Sequence, residues 1–336
     1  PTRRSSDLAA AFGFMPLDMP ESVLVRFTGT RRADLTLRDL VNAIPWATLQ
    51  AGDLSADPKA KKNPFAGRIL EMEGLDDLTP EQAFELTDAS AERSAAASTI
   101  ALSVERTAEF VRTNASLIRS LLEAGYQDAE ALRRRLAAME AWLAQPSLLR
   151  RDADATFAKT YVIDQGALTE PLLCLPNDPD KIGTLSQVAG TAVDEVFIGS
   201  CMISVGNVRA AAKLLGAADY VKTSTWICPP TRFEADALRA EGVYATLGER
   251  GCRLEIPGCS LCMGNQARVK PGAVVFSTST RNFDNRMGRD AQVYLGSAEL
   301  AAITAILGRI PTLAEYRQAM TALTPDLYRR WAGPQG

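Results

Sequence analysis

Glu195-Val-Phe-Ile-Gly-Ser-Cys201 is an apolar run that stops at a Gly-Ser-Cys turn, and its reading decides the fold. A helix is expected from Asn207 to Leu215, closed by Gly216, so strand, turn and helix follow in sequence. The rhythm repeats. Ser224-Thr-Trp-Ile-Cys228 leads through Pro229-Pro230 to a helix near Glu234–Ala240, and Arg253-Leu-Glu-Ile256 runs into a cysteine turn. Ala273-Val-Val-Phe-Ser277 leads to Arg281, and a further helix is expected over Ala298–Leu307 before a capping box at Thr312-Leu-Ala-Glu315. Such alternation predicts an α/β fold of doubly wound parallel sheets with flanking helices, whose ligands bind beyond the carboxyl ends of the strands.

Upstream the signals are of the same kind. Val23–Thr28 reads as a strand, Thr36–Ile44 as a short helix ending at Pro45, and Arg68–Glu73 as a second strand. Thr79-Pro-Glu-Gln82 is a helix start, with a hydroxyl cap, proline at the first position and glutamine at the third. Two longer amphipathic helices follow, near 104–124 and 128–144, the second with Leu132, Leu136, Met139 and Leu143 on one face as packing surface. Residues 151–193, broken by Pro171, Pro176 and Pro179, read as a connector between an α/β region at 9–150 and an α/β domain at 194–336. Pro1–Leu8 is what a common sequencing adapter would translate to, so these residues are expected to be a scar on a gene that continues upstream. Finding those codons inside an uninterrupted gene would overturn that expectation.

The 336 residues carry 37 basic and 40 acidic side chains, a net charge of −3 that excludes a bulk basic field for nucleic acid or membrane. No apolar run reaches membrane-spanning length. Six cysteines without a secretory signal point to reduced thiols in the cytoplasm. There is no histidine, which excludes His-assisted nucleophiles and His-ligated metals within these residues.

Cys201, Cys259 and Cys262 all fall where a strand should end. A lone thiol at one strand end and a Cys-x-x-Cys pair at another suit a four-iron cluster with one iron left open. Spacing alone also admits zinc with a fourth ligand, a redox dithiol, or plain packing. Cys174, Cys228 and Cys252 read as buried hydrophobes.

Four segments carry a resemblance. Gly199-Ser-Cys201 and Pro257-Gly-Cys-Ser-Leu-Cys-Met-Gly-Asn-Gln266 resemble the cluster-binding turns of the aconitase superfamily, Ser277-Thr-Ser-Thr-Arg281-Asn-Phe-Asp-Asn-Arg286 its substrate-binding arginine loop, and Leu86–Ala95 its glutamate segment. The resemblance runs from about Glu21 to the C-terminus. It implies a hydro-lyase that interconverts citrate and isocitrate through cis-aconitate, or a relative acting on 2-methylisocitrate. It implies that Cys201, Cys259 and Cys262 hold a 4Fe-4S cluster, that Arg281 and Arg286 bind substrate carboxylates, and that Glu92 approaches the open iron. Read without it, Glu92 is a solvated helix-end carboxylate beside Arg93. Asn265 and Gln266 are placed by the resemblance where their amides could stabilise cluster sulfides, and stabilising the turn is their other reading. The family's Cys-Met-Thr-Asn-Ile-Gly-His is here Cys201-Met-Ile-Ser-Val-Gly-Asn207, so Ser204 stands in for an amide near the cluster. The resemblance also implies upstream domains with Asp-His and catalytic-serine segments, so the chain is expected to be an incomplete C-terminal portion, inactive alone. Its last implication is an apo form that binds mRNA, for which Arg133-Arg-Arg135 is the local basic patch and a solvated helix face the plainer reading.

Overall fold

The computed structural model describes residues 11–14, 18–57, 59, 61–258, 264 and 268–329. The first half supplies strands β1 (Ser22–Thr28), β2 (Ile69–Glu73), β3 (Ala97–Ile100) and β4 (Lys159–Asp164). Between them lie helices α1 (Leu37–Gln50), α2 (Pro80–Ala89), α3 (Val104–Glu123) and α4 (Ala129–Ala144). The strands form a parallel sheet in the order β3-β2-β1-β4. The second half brings β5 (Leu172–Cys174), β6 (Ile182–Thr184), α5 (Leu185–Val188), β7 (Glu195–Gly199), α6 (Val205–Leu215) and β8 (Ser224–Cys228). It continues with α7 (Arg232–Ala240), α8 (Val243–Glu249), β9 (Arg253–Leu254), β10 (Val274–Ser277), β11 (Gln292–Leu295), α9 (Ala298–Leu307) and α10 (Leu313–Met320).

The second sheet has the order β6-β5-β11-β10-β7-β8-β9. Its five strands from β11 to β9 are parallel, and β5 and β6 add an antiparallel edge. The chain walks outward from β7 to β9, then returns to lay β10 on the other side of β7. That reversal is a topological switch point, where an open α/β sheet leaves a crevice at its carboxyl edge. Residues 151–193 are therefore more than the expected connector. The prolines keep its elements short, yet it contributes β4 to the first sheet and β5 and β6 to the second.

One apolar cluster runs from Val23, Val25 and Phe27 of β1 through Leu40 and Ile44 of α1 to Val275 of β10 and Leu295 of β11, so both sheets share a core. Helix α1 lies along that seam with its polar face buried. Asp39 accepts from the Leu172 amide at 2.9 Å while Asn42 donates to the Leu172 carbonyl at 2.7 Å, so both backbone groups of the first β5 residue are bonded to α1. The sequence predicts that α1 ends before Pro45, but it continues to Gln50. Proline has no N–H for the carbonyl four residues back, here Val41. Arg93 Nη2 donates to that carbonyl at 3.1 Å, so a buried guanidinium fills the missing bond.

The expected helices α2, α3 and α4 form with hydroxyl or carboxylate caps from Thr79, Ser103 and Asp128. Leu132, Leu136, Met139 and Leu143 are half-buried. Arg133, Arg134 and Arg135 are exposed on the opposite side, with Arg134 paired to Glu130. Among the described residues no helix is long and apolar enough to cross a membrane.

Candidate active site

The site begins where the β7–β10 ladder ends. Thr278, one residue past β10, accepts the Gly199 N–H at 2.8 Å and donates to the Gly199 carbonyl at 2.7 Å through the same hydroxyl. A side chain thus carries the ladder one step beyond the last backbone pair and fixes the end of β7. Gly199 must be glycine there: a Cβ would stand 2.6 Å from the Cys228 carbonyl oxygen and 2.8 Å from its Cβ. Ser200 follows with φ of 102°, a region that side-chain-bearing residues rarely occupy. The turn buries Ser200 and exposes Cys201 at the mouth of the switch-point crevice.

The loop after β10 carries Arg281 and Arg286. Asn282, fully buried, donates to the carbonyls of Leu175 and Val293 at 2.8 and 3.0 Å and nails the loop to the sheet edge. Arg281 Nε donates to Glu92 Oε1 across 189 residues of sequence. Only 4% of the Glu92 side chain is exposed, so the solvated carboxylate beside Arg93 is not what the fold builds. Arg93 turns away, to the carbonyls of Ala89 and Val41. Burial pushes the Glu92 carboxyl above its ordinary value, against the pull of Arg281 and Arg286. Arg281 and Arg286 are half-buried, each with part of its side chain toward solvent.

Cys259, Cys262, Asn265 and Gln266 lie outside the described residues. The positions flanking them are placed. Gly258 donates to the Pro229 carbonyl at 3.2 Å, and the Cys228 thiol lies 3.2 Å from the Gly258 carbonyl oxygen. Cys228 is the register partner of Gly199, two residues before Cys201. At the other flank, a Cβ on Gly264 would stand 2.7 Å from the Arg286 carbonyl oxygen. Of the two described residues that flank the Cys-x-x-Cys segment, Gly258 therefore lies beside the end of β8, next to the Cys201 strand, and Gly264 beside Arg286. Ser204 caps α6: its hydroxyl accepts the Asn207 N–H and donates to Asn207 Oδ1, so the pair at 204 and 207 closes a capping box. Among the described residues no group of three or more His, Cys, Asp or Glu side chains is close enough to hold a metal ion.

Beside this site a cavity of about 590 Å³ opens between the two halves, bounded by Arg31, Thr36, Thr79, Met202, Ser204 and Thr231. The starts of α1, α2, α6 and α7 all face it, because each follows the carboxyl end of a parallel strand.

Residues 181–308 match the family model of the Aconitase family (aconitate hydratase). That span holds Cys201, Cys259, Cys262, Arg281 and Arg286, and leaves Glu92 outside it. The chain is 58% identical over 325 residues, 96% of its length, to aconitate hydratase B of Synechocystis sp.. It is 56% identical over 310 residues, 92% of its length, to aconitate hydratase B of Escherichia coli. It spans 37% and 36% of those two proteins, little more than a third of the curated relatives it matches. The 3-isopropylmalate dehydratase large subunit 1 of Deinococcus radiodurans is 30% identical over 308 residues, which is 90% of this chain and 61% of that one.

Proposed function

With a chain of the aconitase family as the premise, we propose that it is the cluster-binding portion of an aconitate hydratase, a hydro-lyase interconverting citrate and isocitrate through cis-aconitate. The observation that supports this reading is one junction of segments beyond the strand ends. The end of β7, two residues before exposed Cys201, is clamped to the start of the Arg281 loop, Arg281 pairs with Glu92, and the flanking Gly258 and Gly264 lie against Pro229 and Arg286. The donor set fits a 4Fe-4S cluster, since three thiolates with no histidine suit iron–sulfur ligation. Cys201, Cys259 and Cys262 would hold it, and when bound it supplies a Lewis acid to polarise the substrate hydroxyl that leaves.

The chain's own groups do the rest. Arg281 and Arg286 present forked donors to substrate carboxylates, orienting the polyanion and neutralising charge that grows on it. Glu92, its carboxyl raised by burial above the ordinary value, would serve as the acid that gives a proton to a departing oxygen. Substrate binding would draw Arg281 off Glu92, raising the acid further as the substrate arrives. Asn265 and Gln266 are assigned by the resemblance to the surroundings of the thiolates, where hydrogen bonds would tune a cluster, while the Ser204 hydroxyl donates within its own capping box and shapes the turn after Cys201. The remaining catalytic groups are assigned to the part of the relatives that this chain does not span. The choice between citrate or isocitrate and 2-methylisocitrate depends in part on those same groups, and the reduced thiols suit the cytoplasm.

The test is the electron paramagnetic resonance spectrum of the anaerobically reconstituted, reduced chain with and without citrate. A spectrum perturbed by citrate in the parent but not in Arg281→Lys or Arg286→Gln supports the assignment. A spectrum indifferent to citrate in the parent removes it.

A further inference from the structure

Arg38 is 4% exposed and belongs to α1, far from the crevice in sequence. Its Nε donates to Glu85 Oε1 at 2.6 Å, its Nη1 to the Ser279 carbonyl at 2.9 Å and its Nη2 to the Thr278 carbonyl at 2.7 Å. Each partner leads to the reacting groups. Glu85 lies on α2, which runs directly into the 3-10 turn Ser90–Arg93 that carries Glu92. Thr278 and Ser279 begin the loop that carries Arg281, and Thr278 also clamps Gly199 just before Cys201. The parallel ladder to β11 closes at Ser277–Leu295, so these carbonyls sit just past the end of regular pairing.

We propose that Arg38 is a positioning residue that sets the register between the Glu92 segment and the Arg281 loop. The fork geometry is what the task requires. A guanidinium reaches one carboxylate and two adjacent carbonyls in a single plane, whereas an ammonium is a point donor that satisfies fewer of them. The position is also unpromising as mere reinforcement, because burying a charge pair costs desolvation that an apolar pair would avoid. Arg38 is sealed behind the loop and acts through Arg281. The bearing of this on catalysis rests on the hydratase reading; the geometry does not.

The experiment reads the Nε–H resonance of Arg281 in the full 336-residue chain labelled with ¹⁵N-arginine. The signal is identified by its loss in Arg281→Lys, and its paired position by its displacement in Glu92→Gln. Arg38→Lys, which keeps the charge opposite Glu85, is expected to shift the Arg281 signal to the position seen in Glu92→Gln. The double variant Arg38→Met with Glu85→Leu leaves no orphaned charge and gives the same shift if Arg38→Lys fails to fold. Arg317→Lys, which weakens a link from α10 to Asp34 and the Thr169 carbonyl, leaves the signal in place. An unmoved Arg281 signal in either folded Arg38 variant overturns the proposal. Failure of the hydratase reading looks different: the parent chain takes up no iron while the Arg281 shifts remain.

Discussion

Replacing Thr278 by valine tests whether the end of β7 is held as described. The swap keeps the shape of a side chain that is 1% exposed and removes only the hydroxyl. That oxygen accepts from the Gly199 amide at 2.8 Å and donates to the Gly199 carbonyl at 2.7 Å, so both groups lose their partner together. A buried polar group left unsatisfied costs about 1–3 kcal/mol, so Thr278→Val should cost roughly 2–6 kcal/mol. Thr278→Ser keeps the hydroxyl and loses one methyl, worth about 1 kcal/mol. Urea unfolding followed by circular dichroism separates them: the midpoint of the valine variant should fall well below that of the serine variant, with similar slopes. Under anaerobic reconstitution the serine variant should load like the parent, and the valine variant should load less, because Cys201 hangs two residues from the released strand end. Equal midpoints for the two variants would refute the argument that the hydroxyl extends the ladder.

Arg93→Met should destabilise the chain by roughly 2–6 kcal/mol by taking a donor from both the Ala89 and the Val41 carbonyls. In a Pro45→Ala background the new N–H reaches the Val41 carbonyl, so a double-mutant cycle in urea should show the loss reduced. Glu299 is fully buried, its Oε1 accepting from the Tyr328 hydroxyl, and burial raises its carboxyl above the ordinary 4.5. Its contribution is present in full below that ordinary value and is lost as pH rises through the folded one, so Glu299→Gln should raise the urea midpoint at neutral pH and flatten this dependence. Glu315 behaves oppositely: the Arg309 guanidinium and the Thr312 cap hold it down to about 2. Its contribution is present above its unfolded value and lost as pH falls through about 2, and a carboxyl NMR titration should show that midpoint moving up in Arg309→Gln.

The parts of this architecture that were legible in the sequence are those written locally. Strand β7 ends at the Gly-Ser-Cys turn that its apolar run predicts, and the boxes at Thr79 and Thr312 close as their spacing demands. The alternation after Asp194 yields the parallel strands and the crevice at their carboxyl edge. What local pattern does not encode is pairing across the chain. Glu92 reads as a solvated end of a helix because its partner lies 189 residues away, and only tertiary packing removes it from water. Helix α1 passes Pro45 because a distant guanidinium supplies the missing donor. Residues 159–184 lack a helical or long alternating pattern, and their strands form because β1 and β11 offer open edges to pair with. Arg38 gives one signal, a charged residue inside a run of buried positions in α1, which marks a buried partner without saying where it is.

The central claim is that three thiolates at the switch point hold a cluster, and iron with acid-labile sulfide per chain after anaerobic reconstitution measures it most directly. The account predicts about four of each in the parent chain and their loss in Cys201→Ser. Zinc in place of iron, or iron and sulfide retained at the same level in Cys201→Ser, would contradict it.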